Sequence, residues 1–170
     1  MPLKKEELQE MIKEQMLIQN LKEMRCKGFS PNKMVTLRGS PYSSLDAVSS
    51  AYNHTLNVLQ RKIFGRYGKQ KIKHFSIAEV GTKYSYYGKN AHIHSLIELE
   101  VLQMNEWEWG ELLKDIWVNT RTGTSVGLTE QVVDGCDSWF KDVWCLKGAV
   151  KYLVKNSDDG EKWNFIKSKY

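Results

Sequence analysis

The sequence predicts an α+β protein in which helices cover a mainly antiparallel sheet. Three observations carry that expectation. Apolar periodicity switches between helical and strand spacing in the order α-β-α-β-β-α-β-α, which never settles into the βαβα repeat of a parallel sheet. A length of 170 residues suits one compact domain with short appendages. Hydrophobic residues at 41% and charged residues at 26% are ordinary globular proportions, so wholesale disorder is excluded.

The elements follow in chain order. Over residues 3 to 25, Leu8, Met11, Ile12 and Met16 recur at spacings of three and four, and Ile18 and Leu21 broaden the same apolar side of an amphipathic helix. Gly28 and Pro31 in the following CKGFSPN segment end it. Met34 to Arg38 (MVTLR) is a β-prone run stopped by Gly39, Ser40 and Pro41. Ser43 or Ser44 then caps a helix that continues through Ala47, Ala51, Leu56, Leu59 and Ile63, because a hydroxyl there satisfies orphan backbone donors. Residues 72 to 80 and 91 to 99 read as strands joined by the GTKYSYYGKN connection. A helix over 106 to 118, a strand or hairpin within 124 to 133, and a last helix over 143 to 156 complete the order.

No run approaches the roughly 18 to 20 apolar residues of a membrane span, and the N-terminus lacks the apolar stretch of a signal peptide, so a cytoplasmic protein with no membrane partner is expected. Cys26, Cys136 and Cys145 are widely spaced with no C-x-x-C pair, which points to reduced thiols and not to a disulfide framework or zinc site. The net charge of +5 is unevenly spread. Arg61, Lys62, Arg66, Lys69, Lys71 and Lys73 form a run without an acid, whereas residues 98 to 142 carry ten acids against Lys114, Arg121 and Lys141. Such a basic run is either a solvated loop or a surface that tracks phosphates.

The most specific local signal is Ala91-His92-Ile93-His94. Side chains alternate faces along a strand, so His92 and His94 share one face and can hold one divalent ion. Half of the four histidines lie in the tripeptide His92-Ile93-His94, and the apolar run Leu96, Ile97, Leu99 after it marks a core strand, where idle polar pairs are uncommon. If 72 to 80 and 91 to 99 pair as a hairpin, Glu79 approaches both rings as third ligand, with Glu98 or Glu100 as alternatives and His74 a poorer candidate. Two imidazoles and a carboxylate suit Mn²⁺ or Mg²⁺ acting on a phosphate.

Near the C-terminus, Leu146, Val150 and Leu153 form an i, i+4, i+7 stripe able to pack on the sheet, while Tyr152 and Lys155 share another face with Gly148 one turn earlier. A phenol that attacks a phosphodiester needs a cation nearby, which Lys155 or the metal can supply. Tyr84, Tyr86 and Tyr87 are the next tyrosines to consider as nucleophile.

With these residues in place the sequence resembles the HUH endonuclease superfamily, and within it the rolling-circle replication initiators of small bacterial plasmids and related phages and viruses. Met34 to Arg38 looks like the family's first strand, His92-Ile93-His94 like its metal-binding H-hydrophobic-H, and Tyr152-Leu153-Val154-Lys155 like its Y-x-x-K helix. The string KYLVKNSD from Lys151 to Asp158 is especially similar to the plasmid-initiator form. The resemblance covers residues 33 to 158 and implies a five-stranded antiparallel sheet with the metal on one face and the tyrosine helix alongside. It divides the chain into an N-terminal helix and linker (1 to 29), an endonuclease domain (30 to 158) and a C-terminal tail (159 to 170). The implied activity is origin-specific nicking of single-stranded or hairpin DNA, leaving a 5′-phosphotyrosine and a free 3′-hydroxyl. Arg61, Lys62, Arg66, Lys69, Lys71, Lys73 and Lys151 are the expected DNA contacts. The family's helicase module has no counterpart, since no G-x-x-x-x-G-K-[ST] loop occurs, so unwinding is expected from a host helicase or from outside this chain, and extension from a host polymerase. Some relatives carry an acid one turn before the tyrosine, where this chain has Gly148. A related transposase or relaxase, or an RRM-like module that binds single strands without cutting them, are the competing readings.

Overall fold

A computed structural model describes residues 4–80, 91–99, 104–125, 128, 139–155 and 163–167. The elements are α1 (Lys5–Cys26), β1 (Lys33–Arg38), α2 (Leu45–Phe64), β2 (Lys73–Val80), β3 (Ala91–Glu98), α3 (Glu106–Val118), β4 (Phe140–Asp142), α4 (Leu146–Lys155) and β5 (Trp163–Lys167). The strands run antiparallel in the order β4-β1-β3-β2-β5. The class is α+β, as expected.

Strand alternation explains the layers. Val35, Leu37, Ala78, Ile93 and Ile97 point to one face and pack with Val48, Tyr52, Leu56 and Leu59 of α2 and Trp109, Leu113 and Trp117 of α3. Met34, Phe75, Ile77 and Leu96 point to the other and meet Leu17, Leu21 and Met24 of α1 and Ala149, Val150 and Leu153 of α4. Local chemistry sets the ends of the helices. Ser44 caps α2 by accepting from the Ala47 amide at 3.1 Å, and Asn105 caps α3 by accepting from the Glu108 amide at 2.9 Å. Gly28, at a φ of 84°, turns the chain after α1 while the Phe29 amide donates back to the Met24 carbonyl at 3.1 Å.

The α2 face also buries a polar chain. Tyr52 donates to Ser95 Oγ at 2.6 Å, Ser95 and Ser76 share a hydrogen bond of 2.7 Å, and Ser76 meets His74 Nδ1 at 2.8 Å. His74 is therefore spent inside the sheet's other face. Burial pushes its imidazole down to about 4.

Three expectations change. The α1 stripe Leu8, Met11, Ile12 and Met16 faces solvent, each residue 45 to 50% exposed, whereas Leu17, Leu21 and Met24 are buried. The helix is apolar on two sides, and the side continuous with Phe29 and the next strand is the one that packs. The segment expected as a tail instead supplies β5, which pairs with β2 from Phe75↔Lys167 to Glu79↔Trp163. The last helix starts later than 143, because Phe140–Asp142 pairs with β1 as an edge strand. Lys33 anchors that edge: its buried ammonium donates to Asp142 and, at 2.6 Å, to Glu106. Residues 81–90 and most of 124–133 lie outside the described residues, and with them the connecting loop and the expected hairpin. Among the described residues no helix is long and apolar enough to cross a membrane.

Candidate metal centre

Antiparallel register brings the ligands together. β2 and β3 pair with Glu79 opposite His92 and Ile77 opposite His94, so the carboxylate and both imidazoles project from one face at one end of the hairpin. Glu79 Oε1 lies 3.1 Å from His92 Nε2 and 3.2 Å from His94 Nε2. One donor atom from each of the three residues falls within 4.8 Å of the others, a grouping that can hold a metal ion. Side-chain exposure is graded across the cluster, 16% for His92 against 2% for His94 and 1% for Glu79, so His92 forms its outer edge.

The donor chemistry fits a divalent cation. Among the described residues His94 Nε2 is buried without a hydrogen-bond partner, although it lies 3.2 Å from Glu79 Oε1. An orphaned ring nitrogen aimed at a carboxylate oxygen is costly unless something electrophilic joins the two. Burial alone would raise the Glu79 carboxyl, but the two imidazoles together outweigh it and hold it down at about 2. Burial lowers His94, and the charges of His92 and Lys13 add to that against the pull of Glu79. Near neutral pH the carboxylate is ionised and His94 neutral, the protonation states that ligate.

The other elements close the site. Thr36, in register with His94 on β1, places Oγ1 3.1 Å from His94 Nδ1. Lys13, 6% exposed on α1, donates from Nζ to Glu79 Oε2 at 3.5 Å. Tyr152 on α4 sets its ring edge-on to that of His94, with centroids 5.4 Å apart and planes at 87°. The Lys141 ammonium, on β4, lies 4.5 Å from the centroid of the Tyr152 ring. The apolar stripe of α4 makes this possible: Val150 and Leu153 are buried against the sheet, leaving Tyr152 at its margin, 37% exposed.

The structure thus groups Glu79, His92, His94 and Tyr152. Lys151 is exposed beside the tyrosine, and Lys155 falls within α4 with its side chain outside the described residues. Glu98 belongs elsewhere, since it accepts from Lys73 at 3.0 Å and from the Ser30 amide at 2.5 Å at the opposite end of β3. Glu100, Tyr84, Tyr86 and Tyr87 lie outside the described residues. The basic run is not at the triad. Arg61 and Lys62 end α2 on the other side of the sheet, Arg66, Lys69 and Lys71 are exposed in the connection that follows, and Lys73 opens β2. Six residues of extended strand separate Lys73 from Glu79, about 20 Å.

Sequence reasoning missed three neighbours of the triad. Thr36 had a signal, because in a strand it shares a face with Met34, but its partner depends on which strand pairs with β1. Lys13 lies one helical turn before Leu17 and two before Leu21, in a second stripe overshadowed by the more apolar one. Lys141 sits in an edge strand of only three residues, too short for periodicity to reveal. Compared with family models, curated proteins and solved structures, the chain matches none.

Proposed function

We propose that this protein is a metal-dependent DNA-nicking and strand-transfer enzyme of the HUH kind, initiating rolling-circle replication through Tyr152. The observation that carries the reading is the 5.4 Å edge-on contact of Tyr152 with His94. A nucleophile and a candidate metal ligand, 58 residues apart (152 against 94), meet at one point of the sheet. In the resembling family those same motifs share a site, and an antiparallel sheet with α4 packed on it supports the reading.

Glu79, His92 and His94 would hold the ion, Mn²⁺ or Mg²⁺ by the hardness of the carboxylate and the preference of phosphates. Bound there, it would supply positive charge that withdraws electron density from the scissile phosphate. The chain's own residues do the rest. Tyr152 Oη forms a bond to phosphorus while the P–O3′ bond breaks; the phenol gives up its proton, and the 3′ oxygen takes one up to leave as a hydroxyl. The product is a 5′-phosphotyrosine. The Lys141 ammonium over the ring lies close to the negative charge that develops on the attacking phenol. A free 3′-hydroxyl then serves a host polymerase, with a host helicase unwinding the duplex, and religation reverses the same exchange of bonds.

A non-cutting RRM-like module would stack bases on an open sheet face. Here both faces are covered, one by α1 and α4 and the other by α2 and α3. The test is to incubate the full chain with Mn²⁺ and a library of single-stranded targets, then look for a protein–DNA band that survives SDS. Tyr152→Phe should lose the band while DNA affinity stays within a few-fold. An adduct that persists in Tyr152→Phe overturns the assignment.

A further inference from the structure

A lysine is seldom fully buried unless its charge is matched, yet Lys13 is 6% exposed and reaches the carboxylate of the candidate metal site. The two oxygens of Glu79 divide their partners. Oε1 faces His92 and His94 at 3.1 and 3.2 Å, and Oε2 faces the Lys13 ammonium at 3.5 Å. We propose that Lys13 is an internal counter-cation of the metal centre, competing with the divalent ion for the single negative charge of Glu79 and thereby weakening the ion's hold. The inference rests on the metal reading above.

Packing makes the competition built-in. Lys13 stands one turn before Leu17 on the α1 face that carries Leu17, Leu21 and Met24, all buried against the same sheet face as Phe75, Ile77 and Leu96. The ammonium cannot retreat to water without a new rotamer or a shift of the helix. The Lys13 ammonium and the Glu79 carboxylate carry opposite charges, and their shared burial favours keeping the two together. A divalent ion added to the cluster brings two positive charges toward a third.

A purely orienting role predicts the opposite. Were Lys13 there to aim Glu79 at the ion, its removal would weaken binding by about 10- to 100-fold, as loss of a ligand's supporting hydrogen bond commonly does. Competition predicts a gain instead. The sign of the change therefore separates the two, and simple structural damage also lowers affinity.

The experiment measures Mn²⁺ affinity of the full chain by calorimetry and by the paramagnetic resonance signal of free Mn²⁺, with no DNA present. Lys13→Met, and Lys13→Gln as a second neutral variant should methionine fold poorly, should bind Mn²⁺ about tenfold more tightly or better, the Coulomb term at an effective dielectric of about 20 setting the upper bound. Lys13→Arg should stay close to the parent. In EDTA both neutral variants should melt earlier than the parent, and saturating Mn²⁺ should narrow that gap. Neutral variants that fold and bind Mn²⁺ equally or more weakly than a Mn²⁺-binding parent overturn this inference alone. A parent and neutral variants that all fail to take up Mn²⁺ overturn the metal reading together with it.

Discussion

Replacing Thr36 by valine probes the metal centre with the least collateral change. Valine is nearly isosteric, keeps the β-branched shape that suits a strand, and removes one oxygen. That oxygen lies 3.1 Å from His94 Nδ1. For Nε2 to offer its lone pair toward an ion the imidazole proton must reside on Nδ1, and Thr36 Oγ1 is the acceptor that keeps it there. Two magnitudes follow. Leaving a buried ring N–H without its acceptor costs about 1–3 kcal/mol, and because Thr36 is itself only partly buried the lower half of that range applies. For a domain of this size that is a fall in melting temperature of roughly 3–7 °C. Losing the group that fixes a ligating histidine should also weaken metal binding by about 10- to 100-fold. Urea denaturation in EDTA reads the first quantity, Mn²⁺ calorimetry the second, and Thr36→Ser should restore most of both. A valine variant that loses stability yet binds Mn²⁺ within twofold of the parent would show that Thr36 packs the sheet and does not orient the ligand.

Two further outcomes test the surroundings. His74 is held at about 4 by burial, so the unfolded chain takes up a proton first as pH falls below about 6.5. Stability should be fully present above that value and drain away toward pH 4, by at most about 3 kcal/mol. Urea midpoints measured from pH 7 to 4 should show this loss, and His74→Gln should flatten it; an equally steep curve in the variant would assign the acid sensitivity to other groups. Neutralising Arg66, Lys69 and Lys71 together should weaken binding to all single-stranded sequences and reduce the salt slope by about 2. Because they sit at the far end of β2, adduct formation at saturating DNA should hardly change. An unchanged salt slope would mark the basic run as a solvated loop.

What the sequence revealed follows from which signals are local. The H-x-H spacing needs only strand alternation, and pairing residues 72 to 80 with 91 to 99 needs only a hairpin, so Glu79 was legible as their neighbour and the register bears that grouping out. A cap at Ser43 or Ser44, which the structure places at Ser44, and the helix over 106 to 118 were legible for the same reason, being a cap and an amphipathic period read within one element. Partners chosen by non-local pairing were not. Whether Thr36 meets a histidine depends on β1 lying beside β3, and whether residues 163–167 form a strand depends on β2 offering an edge.

The N-terminal helix shows why a strong period can mislead. Leu8, Met11, Ile12 and Met16 make the more conspicuous stripe, yet the face that packs contains a lysine, because what it meets is a carboxylate as well as apolar side chains. Hydropathy scores a buried ammonium as an error. It ceases to be one only when Glu79 is known to lie opposite, and that knowledge comes from the fold. The same contact draws α1 into the site, although the family resemblance begins after it. If the proposed chemistry holds, the centre gathers an ammonium and a divalent ion around one carboxylate, and the anion best placed to relieve the surplus positive charge is the phosphodiester to be cut.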